Sequence, residues 1–253
     1  MKIDLSGRVA LVTGATGELG GAICLALARC GADVGIHYHR NQARANALSE
    51  EVSLLGRRAC VLAGDITELA SVRHMREEIA GKLGAPDILV NAAVTQYAWK
   101  PILEQGLEDY ESQFRSSVLH NVLMAKVFVP AMIEKKYGRI IAINTECAMQ
   151  NHPTQSAYVS GKRGMDGVLR VLAREIGRHG ITVNQVAPGW MISARDRLAG
   201  TEKQEAYEKS VPLARRGEDH DIGVAVAFLA SDLARFISGV YLPVCGGDVM
   251  PAI

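Results

Sequence analysis

The chain predicts an α/β fold, a doubly wound parallel sheet of about seven strands with helices on both faces. Three observations carry this reading. Short apolar runs alternate with longer segments of helical period. The runs are apolar throughout, as in strands buried on both faces. A glycine-rich turn, Thr13-Gly14-Ala15-Thr16-Gly17-Glu18-Leu19-Gly20, joins the first run to the first helical segment.

In chain order the first strand is Arg8–Val12, followed by a helix over Leu19–Arg29. Strand Asp33–Tyr38 leads into helix Ala43–Leu55, and strand Ala59–Ala63 into helix Ser71–Lys82. Strand Ile88–Asn91 precedes a single long helix near Leu107–Lys136. Strands Arg139–Asn144, Thr182–Ala187 and Val240–Val244 complete the sheet. Strand, helix, strand in alternation implies right-handed crossovers between parallel neighbours. There is no Pro/Ser-rich linker, repeat or low-complexity tract, so residues 1–253 read as one domain.

The 253 residues are 48% hydrophobic and 22% charged, enough for a large core under a soluble surface. A net charge of +1 gives no electrostatic reason to expect nucleic acid or an anionic membrane as partner. The start lacks an apolar signal core, and no uninterrupted apolar run approaches the roughly 20 residues that span a bilayer. Five scattered cysteines (Cys24, Cys30, Cys60, Cys147, Cys245) form neither a disulfide framework nor a metal site. A cytoplasmic location is expected. Cys24 and Cys30 read as packing residues, and Cys147, close to Thr145, either faces a site or packs.

The segment Thr154–Lys162 opens a further helix. Its spacing puts Tyr158 and Lys162 a turn apart on one face. A lysine cation beside a phenol is expected to lower a pKa that starts at about 10, giving a proton donor usable near neutrality. The bland alternative is two residues that share a surface. In the same helix Gly161, Gly164 and Gly167 recur every three residues. Each costs about 1 kcal/mol relative to alanine, so either a neighbouring helix, from this chain or another subunit, comes close there, or the helix is locally weak and held by its surroundings; packing is favoured.

Glycines in the first turn let the backbone come close to a phosphate, and the free amides of the helix start bind a pyrophosphate. Where a carboxylate would bind an NAD ribose, the second strand ends in Tyr38-His39-Arg40. Arg40 is placed to meet a 2′-phosphate, so NADP(H) is favoured over NAD(H); its alternative is a solvated helix-start residue. Asp65, followed by Ile66, either accepts a hydrogen bond from adenine or caps the next helix.

Glycine turn, Thr145, Tyr158 and Lys162 together resemble the short-chain dehydrogenase/reductase family, over nearly the whole chain. Asn91-Ala92-Ala93 resembles that family's Asn-Asn-Ala-Gly segment, which helps hold the cofactor. Pro188-Gly189, with Met191 and Ser193, resembles its Pro-Gly-x-x-x-Thr segment beside the nicotinamide carboxamide. Val244-Cys245-Gly246-Gly247 resembles its closing Val-Asp-Gly-Gly. Among members the chain is most similar to the 3-oxoacyl-carrier-protein reductase type. The resemblance implies a Rossmann-like fold, a homotetramer formed through the long middle helix and the Tyr158 helix, and a catalytic set of Thr145, Tyr158, Lys162 and Ser117. Thr145 stands where the family has serine, and Ser117 where it has asparagine. Asn121 is off register. Glu18 replaces the middle glycine of the usual Thr-Gly-x-x-x-Gly-x-Gly motif. A carboxylate there either sets its charge against the phosphates or, as the preferred reading, points to solvent and leaves the cradle intact, since Gly14, Gly17 and Gly20 fit Gly-x-x-Gly-x-x-Gly.

The expected activity is NADPH-dependent reduction of a ketone, possible substrates including a 3-oxoacyl thioester. The rivals are an NAD(P)-dependent alcohol or polyol dehydrogenase and a catalytically quiet nucleotide-binding subunit. Tyr97, Trp99, Met149, Asn151, His152, Trp190 and Met191 follow predicted strands and are candidates to line the substrate site. Residues 192–210 are expected to form a lid. Lys135, Lys136, Arg163 and Arg170 either meet an acidic carrier or form a solvated basic face.

Overall fold

The structure, a computed structural model, describes residues 2–251. Seven strands form one sheet in the order β3-β2-β1-β4-β5-β6-β7, parallel throughout. They are β1 (Val9–Thr13), β2 (Asp33–Tyr38), β3 (Ala59–Ala63), β4 (Ile88–Asn91), β5 (Gly138–Ile143), β6 (Ile181–Pro188) and β7 (Tyr241–Val244). The predicted strands agree with these to within a residue or two. Chain order reverses between β1 and β4, which opens a crevice at the carboxyl ends of those strands.

Alternate residues of each strand face opposite cores. On one side Ala10, Val12, Val34, Ile36 and Val90 pack with residues of α1 (Glu18–Arg29) and α2 (Gln42–Leu54). On the other, Leu11, Leu62, Leu89 and Ile140 pack with α3 (Leu69–Lys82) and the helices of the chain's middle. Burial on both faces is what the unbroken apolar runs require.

The predicted long helix is interrupted. α4 (Leu107–Gln113) passes through a π-helical turn, Phe114–Leu119, into α5 (His120–Lys135). Side chains enter the backbone ladder there: Ser116 Oγ donates to Ser112 O at 2.8 Å, and Asn121 Nδ2 to Ser117 O at 2.7 Å. Such competition for carbonyls favours a wider turn. The run Leu107–Lys135 is long and apolar enough to cross a membrane by length and composition, yet over half of its most apolar window is buried inside this fold.

The turn packs on the next long helix, α7 (Ser156–Ile176), which follows the short α6 (Cys147–Gln150). A Cβ on Gly161 would lie 2.9 Å from Gln113 O, and one on Gly164 would lie 2.9 Å from Val118 Cγ2. Close approach therefore comes from this chain's own middle helix at two of the three glycines, whereas Gly167 faces open space. After β6, residues 192–210 fold as α8 (Ala194–Ala199) and α9 (Glu205–Ser210), and α10 (Asp219–Ala230) leads towards β7.

Candidate active site

The glycine turn is held by backbone packing that side chains would break. A Cβ on Gly20 would fall 2.2 Å from Gly14 O, and one on Gly14 2.7 Å from Ala93 Cα. Gly14 also has φ +66°, which favours glycine. The turn is tied to its neighbours by Thr13, whose Oγ1 accepts from the Ala92 and Ala93 amides at 3.0 and 3.3 Å. Gly17 caps α1 without any side-chain hydrogen bond. The first amides of that helix are therefore left for a ligand.

Sequence reasoning missed the second tie. The Gly14 amide donates to His37 Nδ1 at 3.1 Å, and His37 Nε2 lies 3.1 Å from Gly64 O. Since Nδ1 accepts, the proton sits on Nε2 and is donated to Gly64. Burial drives the His37 pKa down to about 4. Tyr38 packs partly into the core, while His39 and Arg40 are exposed. Arg40 forms no ion pair or side-chain hydrogen bond among the described residues. Asp65 Oδ1 accepts from the Thr67 amide and hydroxyl at 2.8 and 2.7 Å, and Oδ2 lies 4.0 Å from His39 Nε2. Ile66 turns its side chain into the core.

At the carboxyl ends of β4, β5 and β6 lies a cleft of about 1010 Å³. It brings together Thr145, Tyr158 and Lys162 with Glu18, Leu19 and Ala92, and it includes Pro188, Gly189 and Met191. Tyr97, Trp99, His152 and Trp190 also line it, as expected, but Met149 and Asn151 do not. Trp99 stacks on Tyr158 with ring centroids 6.1 Å apart. Tyr97 OH accepts the Tyr158 amide at 2.8 Å and so holds the start of α7.

Lys162 is buried, and its Nζ donates to Ile143 O at 2.6 Å, 5.7 Å from the Tyr158 ring centroid. Burial brings its pKa down to about 8. The expected lowering of the Tyr158 pKa is not what this geometry produces. Burial pushes the phenol up, opposed by a hydrogen bond with Thr145, while the lysine is engaged by a carbonyl. Thr145 is fixed from several sides: its amide donates to Asn144 Oδ1 at 2.9 Å, its carbonyl accepts Tyr241 OH, and its Oγ1 accepts the Cys147 amide at 3.2 Å.

Ser117 is buried in the π turn, outside the cleft lining, and its Oγ has no hydrogen-bond partner. Asn121 instead accepts from Asn91 Nδ2 at 2.8 Å. Ser193 caps α8 in a reciprocal box with Asp196. Glu18 is not simply turned to solvent. Its Oε1 accepts the Ala194 amide at 2.9 Å, joining the start of α1 to the segment expected as a lid.

Comparison with known proteins agrees with this geometry. A family model described as enoyl-(acyl carrier protein) reductase matches residues 14–248. The 3-oxoacyl-[acyl-carrier-protein] reductase FabG of Staphylococcus aureus is 34% identical over 245 residues, 96% of this chain and 98% of that one. A blue fluorescent protein from a metagenomic library, solved in complex with NADPH, is 33% identical with a TM-score of 0.89, over 98% of this chain and 100% of its own. A short-chain type dehydrogenase/reductase from Mycobacterium marinum is 28% identical with a TM-score of 0.86, over 98% of both chains.

The chain belongs to the short-chain dehydrogenase/reductase family.

As a short-chain dehydrogenase/reductase it is an NAD(P)-dependent oxidoreductase acting on CH–OH and C=O groups. Within that frame the cleft of this oxidoreductase has an acidic wall that sequence reasoning did not find. Glu146, next to Thr145, is buried, and Tyr207 OH donates to its two oxygens at 3.2 and 3.4 Å. Tyr207 OH in turn accepts the Trp190 amide at 2.9 Å. Gln150 Nε2 donates to Asp248 Oδ2 at 2.5 Å. Burial, and then the charge of Asp248, push the Glu146 pKa up to about 7. A carboxylate directly after a strand at the ligand-binding edge was the available signal.

Proposed function

We propose that this short-chain dehydrogenase/reductase reduces a ketone to a secondary alcohol with NADPH. The observation that carries the proposal is the meeting of Tyr158, Thr145 and Lys162 in one cleft with the uncapped start of α1. The residues present fit a dinucleotide phosphate. The cradle leaves no room for a Cβ at Gly14 or Gly20, the α1 amides are free of side-chain caps, and the end of β2 carries Tyr38 and Arg40, which has no ion pair among the described residues, instead of a carboxylate.

NADPH, when bound, supplies hydride to the carbonyl carbon. Tyr158 protonates the oxygen as it becomes an alkoxide. A phenol kept neutral by burial is in the acid form that reduction consumes. Thr145 donates a hydrogen bond to the same oxygen, where negative charge develops. Lys162, cationic and fixed by Ile143 O, stabilises that charge and holds the nicotinamide ribose. Gly14, Thr16, Gly17, Leu19 and Gly20 would hold the pyrophosphate, Arg40 the 2′-phosphate, and Asn91, Ala92 and Ala93 the adjoining ribose. Pro188, Gly189 and Met191 would hold the nicotinamide, while Ser193, outside the cleft lining and engaged with Asp196, is left to cap α8. Buried outside the cleft and with no partner for its Oγ among the described residues, Ser117 has no part in this proton path. Residues 192–210 close over the substrate, and the enzyme assembles as a cytoplasmic homotetramer through α4, α5 and α7.

The relatives support reduction of a 3-oxoacyl thioester as one substrate class. The basic face that would greet an acidic carrier is largely engaged: Lys135 bonds Ala85 O and Asp87, Arg163 bonds Ala148 O, and Arg170 pairs with Asp166. The test is a fluorescence titration with NADPH and NADH. NADPH is expected to bind at least about tenfold more tightly, a margin that Arg40→Ala removes. Equal affinities, or preference for NADH, would favour the dehydrogenase reading instead.

A further inference from the structure

Arg216 is the largest side chain that the fold buries completely, and the reaction described so far makes no use of it. A guanidinium out of water is tolerated only where its donors are met. Every acceptor it meets lies in one stretch of chain. Its Nη1 donates to Thr201 O at 3.2 Å and Glu202 O at 3.1 Å, and its Nη2 to Met191 O at 2.7 Å and Asp196 Oδ2 at 2.9 Å. The backbone on either side is fixed as well. Arg215 pairs with Asp221 in the first turn of α10 and donates to the Arg216 carbonyl at 3.0 Å. Gly217 bridges to Met191, and the Ile192 amide donates to Gly217 O at 2.8 Å. Residues 191–202 are thus fastened to α10, with further ties from Glu18 to Ala194 and from Asp219 to Arg197.

The stretch so held carries a wall of the cleft. Arg216 Cζ lies 4.7 Å from the Trp190 ring centroid, and Trp190 and Met191 both line the cleft. A guanidinium over an aromatic face fixes the tilt of the ring as well as its place. α9 is held differently. Beyond residues 201–214, its hydrogen bonds among the described residues run through one side chain: Tyr207 OH donates to Glu146 and accepts the Trp190 amide. The clamp ends at Glu202, so motion of the segment 192–210 is confined to its second half.

We propose that Arg216 is a positioning residue for the reduction: it holds Trp190 and Met191 as a fixed wall and leaves α9 as the part that opens and closes. This inference rests on the ketone-reductase reading and adds a residue to its machinery. Acting through Trp190 and Met191, Arg216 sets where the ketone lies against Tyr158 without touching it. Lysine cannot replace it, since one ammonium does not span acceptors before, within and after α8.

The test joins hydrogen exchange to kinetics. In the wild-type protein, peptides covering residues 193–202 are expected to exchange at least about tenfold more slowly than peptides covering 205–210. In Arg216→Lys and Arg216→Ala that contrast is expected to fall below about threefold. A smaller folded fraction lowers kcat and leaves KM alone, so KM is the kinetic readout. With a ketone that the wild type reduces, KM rises at least about tenfold in both variants while NADPH affinity stays within about threefold. Guanidinium ion at millimolar concentration restores KM in Arg216→Ala, whose cavity it fits, and not in Arg216→Lys. Equal exchange of the two peptides in the wild type overturns the fixed wall, whether or not either variant folds. A folded variant with unchanged KM shows a structural arginine only and overturns the positioning role. An exchange contrast that the substitutions abolish, without turnover of any ketone, would retain the wall and count against the reductase reading.

Discussion

Replacing His37 with asparagine isolates the contribution of a buried imidazole to the cofactor cradle. Asparagine keeps an acceptor near the Nδ1 position that receives the Gly14 amide, loses the link to Gly64 O, and cannot titrate. Protonating His37 in the folded protein would place a second donor against the Gly14 N–H. Its pKa is accordingly depressed from 6.5 to about 4 by burial. A depressed base contributes stability that is fully present above its unfolded pKa and is lost as pH falls towards the folded one. Between about pH 7.5 and about pH 5 that loss amounts to roughly 2 kcal/mol for this one group, from the linkage relation.

Other groups titrate in the same window. His120, buried and lowered to about 3, acts in the same direction, and Glu146, raised to about 7, acts oppositely. Both are shared by wild type and variant, so they cancel in the difference. Urea unfolding at the two pH values measures it. Whatever its stability near neutrality, His37→Asn should lose about 2 kcal/mol less than wild type on acidification. Equal losses in the two proteins would show that His37 is not the buried neutral group described.

Gly161→Ala gains about 1 kcal/mol of helix propensity but forces a Cβ to 2.9 Å from Gln113 O, a backbone atom at the π turn. Overpacking of that kind costs about 1–3 kcal/mol, so a net loss of about 1 kcal/mol is expected in thermal unfolding; a stabilised variant would contradict the close approach of α4 to α7. Thr145→Val keeps the side-chain volume and removes the hydroxyl. A fall in kcat of about 10²–10³ is expected with NADPH affinity unchanged, and undiminished turnover would remove Thr145 from oxyanion stabilisation.

The sheet was legible because burial on both faces leaves unbroken apolar runs, and Thr13–Gly20 was legible because few residue types tolerate that turn. Interruption of the middle helix was not: Ser116 and Asn121 compete for carbonyls one turn back, a pattern common in regular helices, and the close approach of Gln113 O to Gly161 joins segments distant in sequence. His37 was hidden for a related reason: in an apolar strand a histidine reads as core, and its partners Gly14 and Gly64 come from two other strand ends. The Tyr158–Lys162 spacing correctly placed both side chains in one cleft. It could not reveal that Ile143 O engages the ammonium and that burial raises the phenol. Glu146 acquires its character from burial and then from the charge of Asp248, opposed by the Tyr207 hydroxyl, and the fold delivers these two partners from the lid segment and the far end of the chain.

Tyr158→Phe, assayed by NADPH oxidation across a panel of ketones alongside an NADPH titration, tests the central claim most directly. Wild type should oxidise NADPH with at least one ketone, and the variant should lose about 10²–10⁴ in kcat while binding NADPH as tightly as before. Full activity in the phenylalanine variant would contradict the account.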